Sequence, residues 1–189
     1  LPILVDQMET LVRTERGKFG EWRISAFYYN TALCYFGMGK YREALHWLNR
    51  LLNDRKLEQS RPDLYSSSRL FNLIVHLELE NDELLEHLLR STHRDLSRKG
   101  KLFDLEALVL KFISRMVADQ GKRKATLTEF RQEVGSLVTT YPDSEVPAYF
   151  DYLSWVESKL TSKPFAALVK EAADSLRKKM PAVNQKEMR

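Results

Sequence analysis

Apolar residues recur at helical spacing along almost the whole chain, and no segment keeps the two-residue alternation of a half-buried strand. That pattern restricts the fold to the all-α class. It predicts helices over residues 2–15, 21–38, 41–54, 62–80, 82–97, 102–120, 127–141, 145–160 and 164–179. The punctuation agrees. Gly17, Gly100 and Gly121 each follow an apolar-periodic stretch, where a helix favours a left-handed residue just past its end. Thr126 with Glu129 reads as a capping box. Ser60 before Pro62 and Ser162 before Pro164 mark helix starts. Seven glycines and six prolines are few for 189 residues, and 29 leucines are many. A chain of this composition folds as one domain or one stretch of a repeat array.

Charge narrows the partners. Residues 163–189 carry seven basic and three acidic residues, which is the entire net charge of +4. Residues 1–162 hold 23 of each sign, so the body has no overall basic character. The single cysteine, Cys34, excludes an internal disulfide and a multi-cysteine metal site, and fits a reducing, cytoplasmic setting. No run of 18 apolar residues appears, so no membrane span is expected. The chain opens on Leu1-Pro2-Ile3-Leu4 without Met or a signal-peptide pattern, the expectation for a piece of a longer protein.

Two helix pairs resemble each other. Tyr29-Asn30 and Phe71-Asn72 recur 42 residues apart, and Gly39 and Asn81 recur at the same offset. Both turn residues tolerate the left-handed conformation of a tight helix–helix turn. A repeated helix pair implies a solenoid, because one pair cannot bury its own apolar face.

Tyr28, Ala32, Tyr35, Ala44 and Leu48, with Gly39-x-Tyr41 at the turn, resemble a tetratricopeptide repeat. Small Ala32 and Ala44 let two helices approach, and Tyr35, Tyr41 and Leu48 fill the space around that contact. Thr31 stands where the family has Leu, Leu48 replaces an aromatic, and no Pro closes the repeat before Pro62. The resemblance implies an all-α, tetratricopeptide-like superhelix of eight to nine helices. It would form a single domain over residues 1–180, with its best repeat at 25–56 and a degenerate one at 66–97. Further pairs fall at 102–141 and 145–179, and a disordered tail at 181–189. Leu88-Leu89-Arg90-Ser91-Thr92 and the stretch from Phe150 to Lys159 resemble phrases of large bacterial tetratricopeptide proteins, which implies the C-terminal part of such a protein.

The family resemblance further implies a concave groove lined by the first helix of each pair. By helical spacing Ala26, Tyr29, Asn30, Leu33 and Phe36 share one face, and Ser68, Phe71, Asn72, Val75 and Leu79 are their equivalents. Tyr29, Asn30, Leu33, Phe36, Phe71, Asn72 and Val75 are therefore the candidate groove. An Asn side chain both donates to and accepts from a peptide backbone, and an aromatic beside it offers flat apolar area. The alternative is that the asparagines bond between helices and the aromatics are core. No Lys or Arg falls on this face, so a clamp for a terminal carboxylate is not expected.

Other chemistry finds little support. Glu83 and His87 share a helix face, but neither they nor His46, His76 and His93 complete a metal motif. Cys34 reads as a buried, inert thiol. Arg98-Lys99-Lys101 and Lys122-Arg123-Lys124 lie at opposite helix ends without aromatics for base stacking, against nucleic-acid binding. No phosphate loop, carboxylate pair or nucleophile elbow occurs, so neither catalysis nor a cofactor is expected. Tyr149 to Val156 is apolar on most sides and serves as an internal seal or a homodimer surface. Leu168, Val169, Ala172 and Leu176 line one face of the last helix, which reads as a solenoid cap. The expected function is a protein-interaction module that binds a peptide or helix in a concave groove. A structural or dimerisation domain and a helical nucleic-acid-binding repeat are the alternatives.

Overall fold

The computed structural model describes residues 2–14, 16–101, 103–140 and 149–179. The described residues form ten α-helices and two single 3-10 turns, with no strand. The helices are α1 (Pro2–Thr14), α2 (Glu21–Gly37), α3 (Tyr41–Leu52), α4 (Arg55–Ser60), α5 (Pro62–Glu78), α6 (Asp82–Arg98), α7 (Asp104–Ala118), α8 (Arg123–Thr140), α9 (Tyr152–Thr161) and α10 (Phe165–Lys179). They divide into two compact units, residues 1–120 and residues 121–189. The expected disordered tail at 181–189 lies outside the described residues.

The first unit is a stack of antiparallel helix pairs. α2 packs on α3 and α5 on α6, and α5 also lies against both α2 and α3. α7 repeats the move on α5 and α6. Ala32 and Ala44 are fully buried where α2 meets α3, as their size predicts, and Leu48 and Tyr35 are buried around them. α1 joins through buried Val5 and Val12 and through an ion pair from Glu9 to Arg50 of α3.

Three of the turns are the same motif. At Met38-Gly39-Lys40, the Lys40 amide donates to Tyr35 O at 2.9 Å and the Gly39 amide to Phe36 O at 2.9 Å. At Leu79-Glu80-Asn81, Asn81 donates to His76 O at 3.1 Å and Glu80 to Leu77 O at 3.2 Å. At Lys99-Gly100-Lys101, Lys101 donates to Leu96 O at 2.9 Å and Gly100 to Ser97 O at 3.2 Å. Each is a Schellman cap, which uses up the last helical carbonyls and needs a left-handed residue at its centre. Gly39 and Gly100 supply it with φ of 71° and 62°. In the middle turn the left-handed residue is Glu80, φ 56°, and not Asn81, which stands at the start of α6 with φ −85° and makes no side-chain cap there. The two pairs therefore repeat at 41 residues, from Gly39 to Glu80, and the 42-residue match of Tyr29-Asn30 to Phe71-Asn72 is one residue out of step. Gly17 and Gly121 sit in the 3-10 turns, without a positive φ.

α4 is an element the periodicity leaves as a loop. Asp54 caps it, its carboxylate accepting from the Lys56 amide at 3.0 Å, and Leu57 is buried. α5 is the centre of the unit, with twelve of its 17 residues buried. Its serines satisfy themselves locally: Ser66 and Ser68 donate to Pro62 O and Leu64 O, four residues back, at 2.9 and 2.7 Å. Tyr41, half-buried at the start of α3, reaches Glu78 at the end of α5. Burial first, then the Glu78 charge and hydrogen bond, push its phenol up to about 12.

The second unit holds α8, α9 and α10. Phe130, Val134, Phe150, Tyr152, Trp155 and Val156 are buried together, and the Phe150 ring stacks on Phe165 at 5.7 Å. The aromatic stretch from Tyr149 to Val156 is thus the core of this unit. Asp151 starts α9 by accepting from the Ser154 amide at 2.9 Å and the Ser154 hydroxyl at 2.6 Å. Thr126 is not a cap. α8 begins at Arg123, directly after the 3-10 turn, and Thr126 is buried one turn inside it.

Candidate functional site

The structure separates the seven residues of the expected groove. Tyr29, Phe36, Phe71, Asn72 and Val75 are buried. The Phe71 ring stands 5.7 Å from Tyr29 and 5.2 Å from Phe36, so these aromatics pack α5 onto α2. Asn72 is 7% exposed, and its Oδ1 has no hydrogen-bond donor among the described residues. Asn30 is exposed and Leu33 half-buried. With Ala26 and Cys34 they form the open stripe of α2, turned by one residue from the expected face.

Cys34 itself is exposed, which corrects the reading of a buried thiol. Its neighbours Thr31 and Tyr35 take the inward positions and leave it on the outer stripe. Counted from the left-handed turn residue, Asn30, Leu33 and Cys34 are the equivalents of Phe71, Ile74 and Val75. The same helix face is thus open in α2 and covered in α5.

An open groove lies elsewhere in the first unit, between α6 and α7. Leu89, Arg90 and His93 of α6 face Ala107, Leu110, Lys111 and Ser114 of α7, around about 470 Å³ of space. The two helices are held antiparallel at one end by the Lys99-Gly100-Lys101 cap. At the other end Gln120 Nε2 donates to Asp82 at 3.0 Å. Leu110 is buried and Leu89 half-buried, which makes the floor apolar. Arg90 is 73% exposed and pairs with Glu86, 3.8 Å away on the same helix. Sequence reasoning missed this site because α6 reads as an ordinary amphipathic helix, and its polar face looks merely solvated. The available signal was Arg90 and His93 beside Leu89, on a helix whose neighbour carries Ala107 and Ser114 at the facing positions.

At the base of α7, Glu106 accepts from the amide of Phe103, a cap by the third helical residue alone. Burial raises its carboxyl above the ordinary value.

The basic residues at the end of α6 are engaged. Lys99 Nζ lies 3.0 Å from Asp95, also binds Glu58 of α4, and sits 5.0 Å from the Tyr65 ring centre. Burial alone would lower the Lys99 pKa, but the two carboxylates outweigh it and raise it. Burial likewise opposes the Asp95 charge, yet Lys99, Arg69 and Arg98 hold its carboxyl below the usual value. Arg98, 75% exposed, also meets Asp95 at 3.0 Å. This cluster ties α4, α5 and α6 together and spends on carboxylates charges that a nucleic-acid reading would need for phosphates.

His76 is buried at the end of α5, and burial pushes its imidazole below the ordinary value. Asn81 Nδ2 donates to its Nδ1 at 3.0 Å, which requires a neutral ring protonated on Nε2. Among the described residues no three His, Cys, Asp or Glu side chains converge on a metal position, and no helix is long and apolar enough to cross a membrane.

These features define the class: among its described residues, an all-α protein whose first unit stacks antiparallel helix pairs and has an open groove between α6 and α7. No protein-family model, curated protein or solved structure matches the chain.

Proposed function

We propose that the chain is a protein–protein interaction module of tetratricopeptide type, which binds a peptide or helix and catalyses no reaction. One observation carries this reading: the open α6–α7 groove, apolar at its floor and polar at its rim. Binding surfaces of this shape take an amphipathic segment by its apolar side. The repeated caps and the packing of each first helix on both members of the preceding pair support the repeat type.

The test uses the full chain as bait beside its Ala107→Trp variant. Ala107 is exposed in the groove, so the indole fills the space without disturbing the core. A protein retained by the parent and lost by the variant supports the reading. Identical retained sets overturn it.

A second reading, self-association, has its own observation. Along α10 the apolar face is half-buried at Phe165, Leu168 and Val169 but exposed at Ala172, and Leu176 is 65% exposed. Sedimentation of the parent and of Leu176→Lys separates a dimer through this face from a monomer.

A further inference from the structure

We infer that Arg69, Asn72 and Asp95 hold one ordered water molecule between α5 and α6. None of the three lines the α6–α7 groove, so the site stands apart from the proposed binding surface.

Each of the three carries a buried polar atom with no hydrogen-bond partner among the described residues: Arg69 Nε, Asn72 Oδ1 and Asp95 Oδ2. Arg69 Nε faces Asp95 Oδ2 across 3.8 Å, too far for a direct hydrogen bond. The two groups are held where they are by their other ends. Arg69 Nη2 donates to Ser91 Oγ at 3.3 Å, and Asp95 Oδ1 accepts from Arg98 Nη2 at 3.0 Å. Lys99 Nζ stands 3.0 Å from Asp95 Oδ2 as an ion-pair partner, but it is not in line for a hydrogen bond. Asn72 follows Arg69 by three residues, which makes the two side chains neighbours on the surface of α5. It is 7% exposed, so bulk water does not serve its oxygen.

The count of donors and acceptors names the ligand. Nε has one hydrogen to give, and each of the two oxygens needs one. A water molecule accepts one hydrogen bond and donates two, and about three is the usual number for a buried water. A cation at this place meets Arg69 and Lys99, and an anion meets Asp95 and the amide oxygen. A small neutral molecule with two hydrogens to donate avoids both repulsions. Left dry, all three atoms would lose their hydration without replacement, which native structures rarely tolerate. The water joins α5 to α6 next to the Lys99 cluster and turns a loose ion pair into a closed network.

The experiment is a crystal structure of the full chain, at a resolution that shows ordered water, with urea denaturation of the parent and of Asn72→Leu beside it. The expected density is a single oxygen within hydrogen-bond distance of Arg69 Nε, Asn72 Oδ1 and Asp95 Oδ2. Leucine is close to asparagine in shape but cannot accept, so the variant leaves the water one partner short. Its urea midpoint is expected to fall below the parent's. Density without a water there, or with Arg69 Nε bonded directly to Asp95 or Asn72, overturns the inference. A water held by Arg69 and Asp95 alone, with the midpoint of Asn72→Leu at or above the parent's, overturns it as well, because the amide oxygen then had no bond to lose. If Asn72→Leu does not fold, the density of the parent decides by itself.

Discussion

Gly39 and Glu80 occupy the same left-handed position at the centre of two identical helix caps, 41 residues apart. One residue reaches that conformation without a steric cost. The other bears a Cβ that crowds the backbone there.

Replacing Glu80 with glycine removes that crowding and leaves the cap hydrogen bonds in place. The gain is partly offset by the greater freedom of glycine in the unfolded chain. Glu80→Gly is therefore expected to stabilise the protein by about 1 kcal/mol. Gly39→Ala is expected to destabilise it by a similar amount, because nothing lies within 4 Å of a Cβ there and the backbone conformation is the only obstacle. Urea denaturation of the three proteins measures both. No change in either would mean that the turns relax to another geometry.

Asp95 joins Lys99, Arg69 and Arg98 at the foot of α6. Asp95→Asn removes the anion and leaves Lys99 and Arg69, both largely covered, facing each other. A loss of about 2 kcal/mol is expected at neutral pH. Asp95 is held below its ordinary value, so its contribution is full above the unfolded carboxyl pKa and fades as pH falls through the lower, folded one. The difference between parent and variant should therefore shrink only in acid, below about pH 4. A difference that is constant down to the most acid conditions would remove the charge from the explanation.

His76 gives the opposite end of the neutral range. Its folded pKa is lowered, so below about pH 6.5 the unfolded chain takes up a proton that the folded ring refuses. Stability from this group is complete above that pH and declines as pH falls. Protonation at Nδ1 also ends its capacity to accept from the Asn81 amide nitrogen. His76→Leu should make stability less sensitive to pH between about 7 and 5 than in the parent, whatever its absolute stability. Parallel profiles for the two proteins would show that His76 takes up its proton alike in the folded and unfolded chains.

The helical class, the pairing of α2 with α3, and the burial of Ala32 and Ala44 were legible because small residues and a 3.6-residue period speak directly of close helix contacts. The rotation of α2 was not. Ile24, Tyr28, Tyr29, Ala32, Tyr35 and Phe36 are all buried, so apolar residues run around most of that helix and no single stripe fixes which face is open. α5, with Phe71, Asn72 and Val75 all inside, carries the same ambiguity further. At the second turn, Asn81 is the residue that tolerates a positive φ, but Glu80 adopts it, because the packing of α5 and α6 sets the length of the turn. α4 escaped notice because six residues are too few to show a period. Only Asp54 as cap and Leu57 as anchor mark it. The α6–α7 groove needed both helices in place, since its cations and its floor come from residues about 20 positions apart in sequence.

Cys34 offers the most direct check on how α2 is turned. The structure puts its thiol on the solvent side, one helical turn from exposed Asn30, while the expected groove face would have placed Tyr29 and Phe36 outside instead. An accessible thiol exchanges with a disulfide reagent at a rate set by its thiolate fraction rather than by unfolding. Native protein should therefore react fully with Ellman's reagent, at a rate within about an order of magnitude of the urea-unfolded chain. Protection by several orders of magnitude would mean that α2 is rotated or that the stripe Asn30–Leu33–Cys34 is covered in solution.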